Sequence, residues 1–452
     1  MNANISSILF DTYDFTETAL PDDPNSVVRV YPASAGVAML PLTPANSYTP
    51  TLLFCGGTNT VTDQEWGTYH SPLGNVWEKR ASADCQRLAP EPLDKNTKPA
   101  YEADDEMPDP RTMGQFVILP DGTLLMINGA RMGTAGYTTD TPTIPNLADM
   151  PFYMSLATDP VFTPAIYNPE AAKGSRWSSA GMKTSTIPRL YHSTALLLPD
   201  GSVMVAGSNP GADVVAKADN IPYPTTYDAE YVYPPYWGKT RPVLAAGVSW
   251  PKTLGYGGDS WTVGLESEAG KYDGTAGRLG PNEAGQKAKV VLMRPGYTTH
   301  AMSMGQRYLQ LNSTFQVRLF LRILSRVSTD KTELQVADDG AITLTVAQLP
   351  PNANLFTPGP ALIFLVVDGV PSVGTHVLVG SGAIGTQPVT AAAILPASVT
   401  SAKWNGSGAG NGGNGGDGGG GGGGDDAAVG VRAGMGMALG MVAGAVLALW
   451  AF

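Results

Sequence analysis

Cysteine, histidine and charged residues are all scarce in this sequence. Its 452 residues include two cysteines and four histidines, and charged residues make up only 15% of the chain. Two cysteines are too few for a zinc cluster built from several thiolate ligands. The low charge, together with 54 glycines and 37 prolines, argues against helical bundles and coiled coils and is typical of short strands joined by turns. The composition therefore predicts an all-β fold.

Basic residues are also fewer than acidic ones, with 28 Lys and Arg against 39 Asp and Glu. The formal net charge is -11, and because an acidic surface repels phosphate backbones we expect no nucleic-acid partner. The length corresponds to two or three domains. Hydrophobic residues, at 43% of the chain, are ample for a buried core.

The two ends of the chain give conflicting indications about export. The first residues have neither a basic segment nor a long apolar run, so they contain no secretory signal. Residues 406–424 are almost all glycine, which predicts a flexible tether, and residues 433–452 carry no charge. Small residues, a short spacer and an apolar end are typical of a GPI-attachment signal.

A C-terminal membrane anchor is an alternative interpretation of this tail, and a soluble chain is a third. GPI attachment requires export, so we expect an extracellular protein held at the cell surface or cell wall. The missing signal peptide then predicts that the chain lacks its true beginning. We assign residues 399–426 to a glycine-rich linker and residues 427–452 to the attachment signal or anchor.

Residues 1–238 contain three similar segments, each an apolar run that ends in glycine. They are Thr51–Gly57, Leu119–Gly129 and Leu198–Gly207. The last two carry Pro-Asp-Gly between two apolar runs, which predicts a tight hairpin. The closing glycines are 72 and 78 residues apart, a period that fits propeller blades with loop insertions. Unrelated hairpins in a sandwich are the alternative interpretation.

Residues 239–398 have a different pattern, with strand-like runs separated by turn residues. The runs are Ser260–Val263, Lys289–Met293, Tyr308–Leu311, Ala341–Val346, Ala361–Val367 and His376–Val379. This pattern predicts an immunoglobulin-like sandwich. One segment departs from it: residues 315–327 carry arginines at four-residue spacing and predict a basic amphipathic helix.

An acidic run and a Tyr-His pair are candidate metal-binding segments. The acidic run, residues 102–109, is interpreted as a solvated loop, with a calcium site as the alternative. Tyr191 and His192 directly precede an apolar strand, and His300 follows a Gly-Tyr-Thr-Thr segment. Imidazole and phenolate ligands together favour copper over magnesium or calcium. An ordinary packed strand end is the alternative. Since neighbours on a regular strand point to opposite faces, a shared metal requires that the backbone at Tyr191 is irregular or lies in the entry loop.

Several longer segments match a known family in order along the chain. They are Val28–Gly36, Leu53–Gly57, Met107–Met113, Ile127–Ala130, Ile187–Ser193, Gly207–Pro210, Thr299–Ala301 and Val367–Ser372. On these segments, residues 8–398 resemble fungal glyoxal oxidase, a copper radical oxidase related to galactose oxidase. The resemblance implies a kelch-type seven-bladed propeller followed by an immunoglobulin-like early-set domain.

The resemblance also implies a monomeric enzyme that oxidises a small aldehyde with O2 and releases hydrogen peroxide. By position, Tyr191 would be the axial tyrosine of a copper site and the acceptor of the substrate proton. His192 and His300 would be the two histidine ligands of the copper ion. Oxidation by two electrons with one copper needs a second one-electron store, which the family provides as a tyrosine covalently linked to a cysteine.

The Cys-Tyr cofactor of the family cannot be placed in this sequence. The family carries it in earlier blades, whereas Cys55 and Cys85, 30 residues apart, suit a disulfide in an oxidising compartment; a pair of buried thiols is the alternative. We therefore expect an N-terminally incomplete chain with impaired oxidase activity. The competing hypothesis is a non-catalytic cell-wall or glycan-binding propeller that retains vestigial ligands.

Overall fold

The computed structural model describes residues 1–3, 5–59, 75–94, 96–141, 143–266, 272–273, 277–300, 302–317 and 340–402. Nearly all regular structure in these ranges is β-strand, which confirms the predicted all-β class. Three short 3-10 turns, at Pro24–Ser26, Val76–Glu78 and Leu147–Asp149, interrupt the strands. Within the described ranges no helix is long and apolar enough to cross a bilayer. The predicted tether and anchor lie outside these ranges.

The first part of the chain forms eighteen strands. They are β1 (Asn2–Ala3), β2 (Ser6–Phe10), β3 (Glu17–Ala19), β4 (Val27–Val28), β5 (Gly36–Met39), β6 (Leu52–Cys55), β7 (Thr58–Asn59), β8 (Cys85–Leu88), β9 (Tyr101–Ala103), β10 (Gln115–Ile118), β11 (Leu124–Ile127), β12 (Ala130–Tyr137), β13 (Ser155–Pro160), β14 (Ala165–Tyr167), β15 (Trp177–Ser178), β16 (Thr194–Leu197), β17 (Val203–Ala206) and β18 (Ala229–Val232).

These strands form small antiparallel sheets that succeed one another along the chain. The orders are β1-β2-β3, β5-β6-β8-β9, β10-β11-β14-β15 and β16-β17-β18, and the pairs β4-β7 and β12-β13 lie between them. Four-stranded antiparallel sheets in sequence are the units of a propeller. Both predicted Pro-Asp-Gly hairpins form, β10-β11 and β16-β17. In each turn the aspartate, Asp121 or Asp200, accepts a hydrogen bond from the backbone N–H two residues on.

The second part of the chain forms fifteen strands and one short helix. They are β19 (Thr253–Leu254), β20 (Tyr256–Gly258), β21 (Trp261–Leu265), β22 (Tyr272–Asp273), β23 (Arg278–Leu279), α1 (Pro281–Gln286), β24 (Ala288–Arg294), β25 (Tyr297–Thr299), β26 (Met302–Met304), β27 (Arg307–Leu311), β28 (Ser313–Val317), β29 (Ile342–Val346), β30 (Gly359–Val367), β31 (Val370–Pro371), β32 (Thr375–Val379) and β33 (Val389–Ala392).

Two of the sheets in this part share one hydrophobic core. A larger sheet runs β19-β32-β30-β24-β27, with β31 beside β30, and a smaller one runs β21-β29-β28. Val290 and Ile363 of the larger sheet and Val263 and Leu344 of the smaller one belong to the same buried cluster. The predicted strand runs of this part and its sandwich architecture are therefore confirmed.

The predicted basic helix at residues 315–327 is wrong where the structure describes it. Residues 315–317 end strand β28, in which Phe315 lies opposite Leu344 and Val317 opposite Ile342. The Val317 N–H also donates to the Val399 carbonyl. This pairing provides backbone hydrogen bonds and burial that the local arginine spacing could not reveal. Residues 318–327 lie outside the described ranges.

Strands β24 and β30 are buried on both faces, which joins the blades to the sandwich. Val290 and Ile363 point into the sandwich core. Val291 and Phe364, one residue further along each strand, lie in a second core together with Leu197 of the blades. Because successive residues of a strand face opposite sides, one sheet serves as a wall of both cores. The blades and the sandwich are therefore parts of one packed body.

The two cysteines face each other across neighbouring strands of one blade. Cys55 of β6 is paired in register with Cys85 of β8, and their sulfur atoms form a disulfide. Both residues are fully buried. The bond therefore fixes the second and third strands of this blade to each other.

A buried arginine occupies the same place in three successive blades. The Nη1 atom of Arg29 donates to the Gly56 carbonyl at 2.9 Å, that of Arg111 to the Asn128 carbonyl at 3.0 Å, and that of Arg189 to the Gly207 carbonyl at 2.8 Å. Each accepting residue follows the second strand of its blade. Burial lowers the pKa of Arg111 to about 10, so its side chain remains charged at neutral pH. The recurrence of this contact in three blades supports the prediction of a repeated unit over the alternative of unrelated hairpins in a sandwich.

Asp104 contradicts the prediction of a solvated acidic loop at residues 102–109. Its side chain is fully buried and forms ion pairs with Arg87 and Arg176, and the Tyr167 hydroxyl donates to it at 2.6 Å. Burial alone raises the pKa of this carboxyl, but the hydrogen bonds from Tyr167, Arg176 and the Asp105 N–H and the charge of Arg87 outweigh it. The pKa of Asp104 is therefore lowered.

We expect Asp104→Asn to lower the free energy of unfolding at pH 7 by about 3 kcal/mol, because it leaves two arginines without their buried partner. A carboxyl whose pKa is lowered in the folded state stabilises the fold at pH values above its ordinary pKa of 3.8. This contribution is lost as the pH falls through the pKa that the carboxyl has in the folded protein. Urea unfolding should therefore show that acidification below about pH 4 destabilises the wild type more than the variant.

Asp159→Asn is the matched control for this experiment. Asp159 pairs with Arg131 at 3.0 Å but is 53% exposed, and exposed pairs contribute less than about 1 kcal/mol. Equal losses for the two variants at pH 7 would contradict the structural role given to Asp104.

Candidate metal centre

Irregular backbone brings Tyr191 and His192 to the same side of the chain. They lie immediately before β16, and His192 has a φ of 64°, a left-handed conformation that residues other than glycine rarely adopt. The two rings consequently stack, with centroids 3.8 Å apart and planes at 29°. The objection that strand neighbours face opposite ways does not apply to this segment.

The Tyr191 segment is held by hydrogen bonds from two neighbouring segments. The Asn209 N–H donates to the Tyr191 carbonyl at 2.8 Å, and the Leu190 N–H donates to Ser208 Oγ at 2.9 Å. On its other side, Gln115 Nε2 donates to the Ser193 carbonyl at 2.8 Å. Tyr191 is buried while His192 is exposed, so the pair has one anchored and one accessible ring.

His192 is oriented by a backbone carbonyl. Its Nδ1 lies 3.0 Å from the Asn209 carbonyl oxygen, and because a carbonyl only accepts, Nδ1 must carry the proton. In the neutral form of the ring, the lone pair is then on Nε2. A hydrogen bond from the other ring nitrogen to a carbonyl is the usual way in which a metal-binding histidine is fixed.

His300 comes to this segment from the sandwich, on the hairpin formed by β25 and β26. The hairpin lies against the blades: Thr298 Oγ1 donates to the Ala195 carbonyl at 2.8 Å, and Ser303 Oγ donates to the Phe116 carbonyl at 2.7 Å. The His300 ring centroid is 5.8 Å from that of Tyr191 and 5.6 Å from that of His192. The three predicted site residues therefore converge.

The three side chains fit a copper ion. Metal–imidazole bonds are about 2 Å long, so two imidazoles that share one ion have ring centroids no more than about 6 Å apart, and His192 and His300 satisfy this limit. Two imidazoles and a phenolic oxygen are donors that suit copper better than magnesium or calcium. In the described part of the chain no three His, Cys, Asp or Glu side chains form an alternative metal cluster.

Two further tyrosines lie beside these rings, and sequence reasoning gave neither of them a role. Tyr31 has its ring centroid 6.3 Å from Tyr191 and 6.3 Å from His300, and Tyr137 lies 6.5 Å from Tyr191. A signal for Tyr31 does exist in the sequence. Arg29-Val30-Tyr31 has the same spacing as Arg189-Leu190-Tyr191, and the two arginines occupy equivalent places in their blades.

Other candidates from the sequence do not join the site. Both cysteines are engaged in the disulfide, so neither thiol is available for a covalent link to a tyrosine. Asp104 and Asp105 of the acidic run are occupied by hydrogen bonds from Tyr167 and from the Gly174 and Arg176 backbone. The described residues thus offer two histidines and a tyrosine as ligands, without a Cys-Tyr pair.

Family models match both parts of the chain. The family model for the glyoxal oxidase N-terminus matches residues 1–236, and the model for the galactose oxidase-like early set domain matches residues 248–379. Among solved structures, a novel fungal alcohol oxidase in complex with copper is similar in fold, with a TM-score of 0.52 and 16% identity over 83% of this chain and 60% of that one.

Curated relatives include plant and fungal oxidases. Aldehyde oxidase GLOX1 of Arabidopsis thaliana is 31% identical over 76% of this chain and 47% of its own length. The putative aldehyde oxidase Art an 7 of Artemisia annua is 28% identical over 77% of this chain and 49% of its own. Galactose oxidase of Gibberella zeae is 29% identical over 45% of this chain and 23% of its own.

The chain spans about half the length of the first two of these relatives. Its match to the N-terminal family model nevertheless covers more than half of its own residues. The resemblance inferred from the sequence motifs is thereby confirmed, and the chain belongs to the glyoxal oxidase family.

Proposed function

We propose that the chain binds one copper ion through Tyr191, His192 and His300 and that it represents a copper radical oxidase of small aldehydes. The reaction converts an aldehyde, water and O2 into a carboxylic acid and hydrogen peroxide. The observation that carries the proposal is the convergence of a phenol and an imidazole from one blade with an imidazole from the sandwich. Relatives named aldehyde oxidase support the substrate class.

The chain's own residues have distinct tasks in this proposal. His192 and His300 hold the ion through their ring nitrogens, and the buried Tyr191 accepts the substrate proton at its phenolic oxygen. Copper, when bound, supplies the one-electron redox chemistry that oxidation by O2 requires. The exposed positions of the two histidines leave room for a small aldehyde to approach.

We propose further that copper binding and turnover are separable in this chain. Three ligand side chains are in place, whereas both cysteines are used in the disulfide and cannot form the family's Cys-Tyr link. The chain then has no cysteine-linked tyrosine to store the second electron of the reaction. Low turnover with intact copper binding is the expected combination.

We also propose that the protein acts at the cell surface, held there by its C-terminal tail. The support is the composition of residues 406–452, a glycine-rich tether followed by an uncharged end. A monomer is expected.

A copper titration tests the metal site. Wild-type protein should bind one Cu²⁺, and His192→Ala or His300→Ala should weaken binding at least ~100-fold. Loss of a residue that only hydrogen bonds to a metal ligand already lowers metal affinity about 10–100-fold. His376→Ala is the control, because His376 is exposed on β32 and outside the site. Isothermal titration calorimetry gives the stoichiometry and affinity. Unchanged affinity in both site variants would refute the ligand assignment.

A peroxide assay tests the separation of binding from turnover. We expect the copper-loaded chain to form little or no hydrogen peroxide from glyoxal and O2, because the linked tyrosine that stores an electron is missing. Robust turnover that depends on copper would disprove the proposed impairment while leaving the ligand assignment standing.

A non-catalytic glycan-binding protein is the second candidate function. A cavity of about 680 Å³ between two blades is lined by Phe162, Tyr231, Tyr233 and Trp237, with the Glu230 carboxylate among them. Aromatic faces with a few polar groups are a common composition of small-molecule sites. Sugar binding that is indifferent to His192→Ala and His300→Ala would favour this function over the oxidase.

A further inference from the structure

We propose that Tyr31 is a positioning residue of the copper site, whose ring fixes the orientation in which the His300 imidazole meets Tyr191 and His192. The inference rests on the copper site proposed above. It assigns a role to a tyrosine that would not itself bind the ion. Its task is to hold a ligand that arrives from another part of the fold.

Tyr31 contacts His300 in the geometry that aromatic rings favour. Their centroids are 6.3 Å apart and their planes are at 79°, an edge-to-face arrangement. Such pairs are attractive at centroid distances of about 4.5–7 Å, because the positive edge of one ring meets the negative face of the other. Tyr31 also lies 6.3 Å from Tyr191 at a tilt of 36°. The Tyr31 ring therefore packs against both the buried Tyr191 and the exposed His300.

His300 needs such support more than the other two ligands do. It is exposed, has a φ of 51°, and lies between the two strands of a short hairpin. Its Nδ1 hydrogen bonds to Oγ1 of Thr299, the preceding residue, at 2.8 Å. This local bond turns with the hairpin and gives the ring no fixed point on the blades. Among the described residues, Tyr31 is the ring outside the ligand set that packs on His300.

The segment that follows Tyr31 is held by hydrogen bonds from the blades. The carbonyl of Pro32 accepts a hydrogen bond from the Ala135 N–H at 2.9 Å, and that of Ser34 accepts one from the Met113 N–H at 2.7 Å. The Ala33 carbonyl accepts from Thr112 Oγ1 at 2.8 Å. Three consecutive carbonyls after Tyr31 are thus bonded to neighbouring segments, which fixes the backbone from which its ring reaches His300.

The same structural device presents Tyr31 and Tyr191. Each follows a buried arginine by two residues, and each arginine donates to the carbonyl after the second strand of its blade, Arg29 to Gly56 and Arg189 to Gly207. Two blades therefore present a tyrosine from the same position. One phenol serves as the proposed ligand, and the other serves as the support for His300.

The test compares Tyr31→Ala, Tyr31→Phe and Tyr31→Leu by Cu²⁺ titration and by electron paramagnetic resonance of the bound Cu²⁺. Loss of the ring in Tyr31→Ala and Tyr31→Leu should weaken copper binding about 10-fold and alter the copper hyperfine splitting. Tyr31→Phe should retain both, because it keeps the ring that makes the edge-to-face contact with His300. Tyr227→Ala, which removes a tyrosine that is 78% exposed, should leave both unchanged.

The outcomes separate this inference from the proposed function. If wild-type protein does not bind one Cu²⁺, the proposed site and the role of Tyr31 both fail. If the wild type binds copper and Tyr31→Ala and Tyr31→Leu keep its affinity and spectrum, only the role of Tyr31 fails. A Tyr31→Phe variant as impaired as Tyr31→Ala would also overturn it, by assigning the effect to the hydroxyl. Tyr31 is 47% exposed, and Tyr31→Leu retains apolar bulk if Tyr31→Ala is poorly folded.

Discussion

The proposed metal site depends on the contact between the β25–β26 hairpin of the sandwich and strands β10 and β16 of two blades. Thr298 and Ser303 on the hairpin donate to the Ala195 and Phe116 carbonyls of the blades. Without this contact, His300 would be an isolated histidine on an exposed hairpin. The contact depends in turn on strands β24 and β30, whose opposite faces belong to the two hydrophobic cores. Packing of the sandwich against the blades is thus a condition for the proposed chemistry.

The blades contribute a second constraint, which is local. In three blades a buried arginine ties the entry of the blade to the carbonyl that follows its second strand. The entry segments can then hold unusual backbone conformations, such as the left-handed His192, because the hydrogen bonds around them over-determine the geometry. Rings that would point apart on a regular strand are brought together by this irregularity.

The sequence allowed much of the fold to be predicted, because the relevant signals are local. Pro-Asp-Gly between apolar runs specifies a hairpin by itself, and both hairpins form. Alternating apolar runs likewise predicted the sandwich strands. The arginine spacing at residues 315–327 suggested a helix, yet Val317 is strand because it pairs with Ile342. Such pairing between distant segments leaves no trace in a local pattern.

The convergence of Tyr191, His192 and His300, on which the proposed copper site rests, was predictable only through the family motifs. Nothing in the spacing of Tyr191 and His300 reveals that they meet, since the hairpin contact that joins them is tertiary. Tyr31 was missed for a similar reason, although its Arg-x-Tyr spacing repeats that of Tyr191. The burial of Asp104 could not be predicted from the sequence, because its partners, Arg87, Tyr167 and Arg176, lie far from it along the chain.

X-ray absorption spectroscopy of the copper-loaded protein tests the central claim most directly. The account predicts nitrogen and oxygen scatterers about 2 Å from the metal and the multiple-scattering pattern of two imidazole rings, one of which disappears in His300→Ala. A spectrum with a single imidazole in the wild type, or one that His300→Ala leaves unchanged, would contradict the convergence of blade and sandwich on one ion.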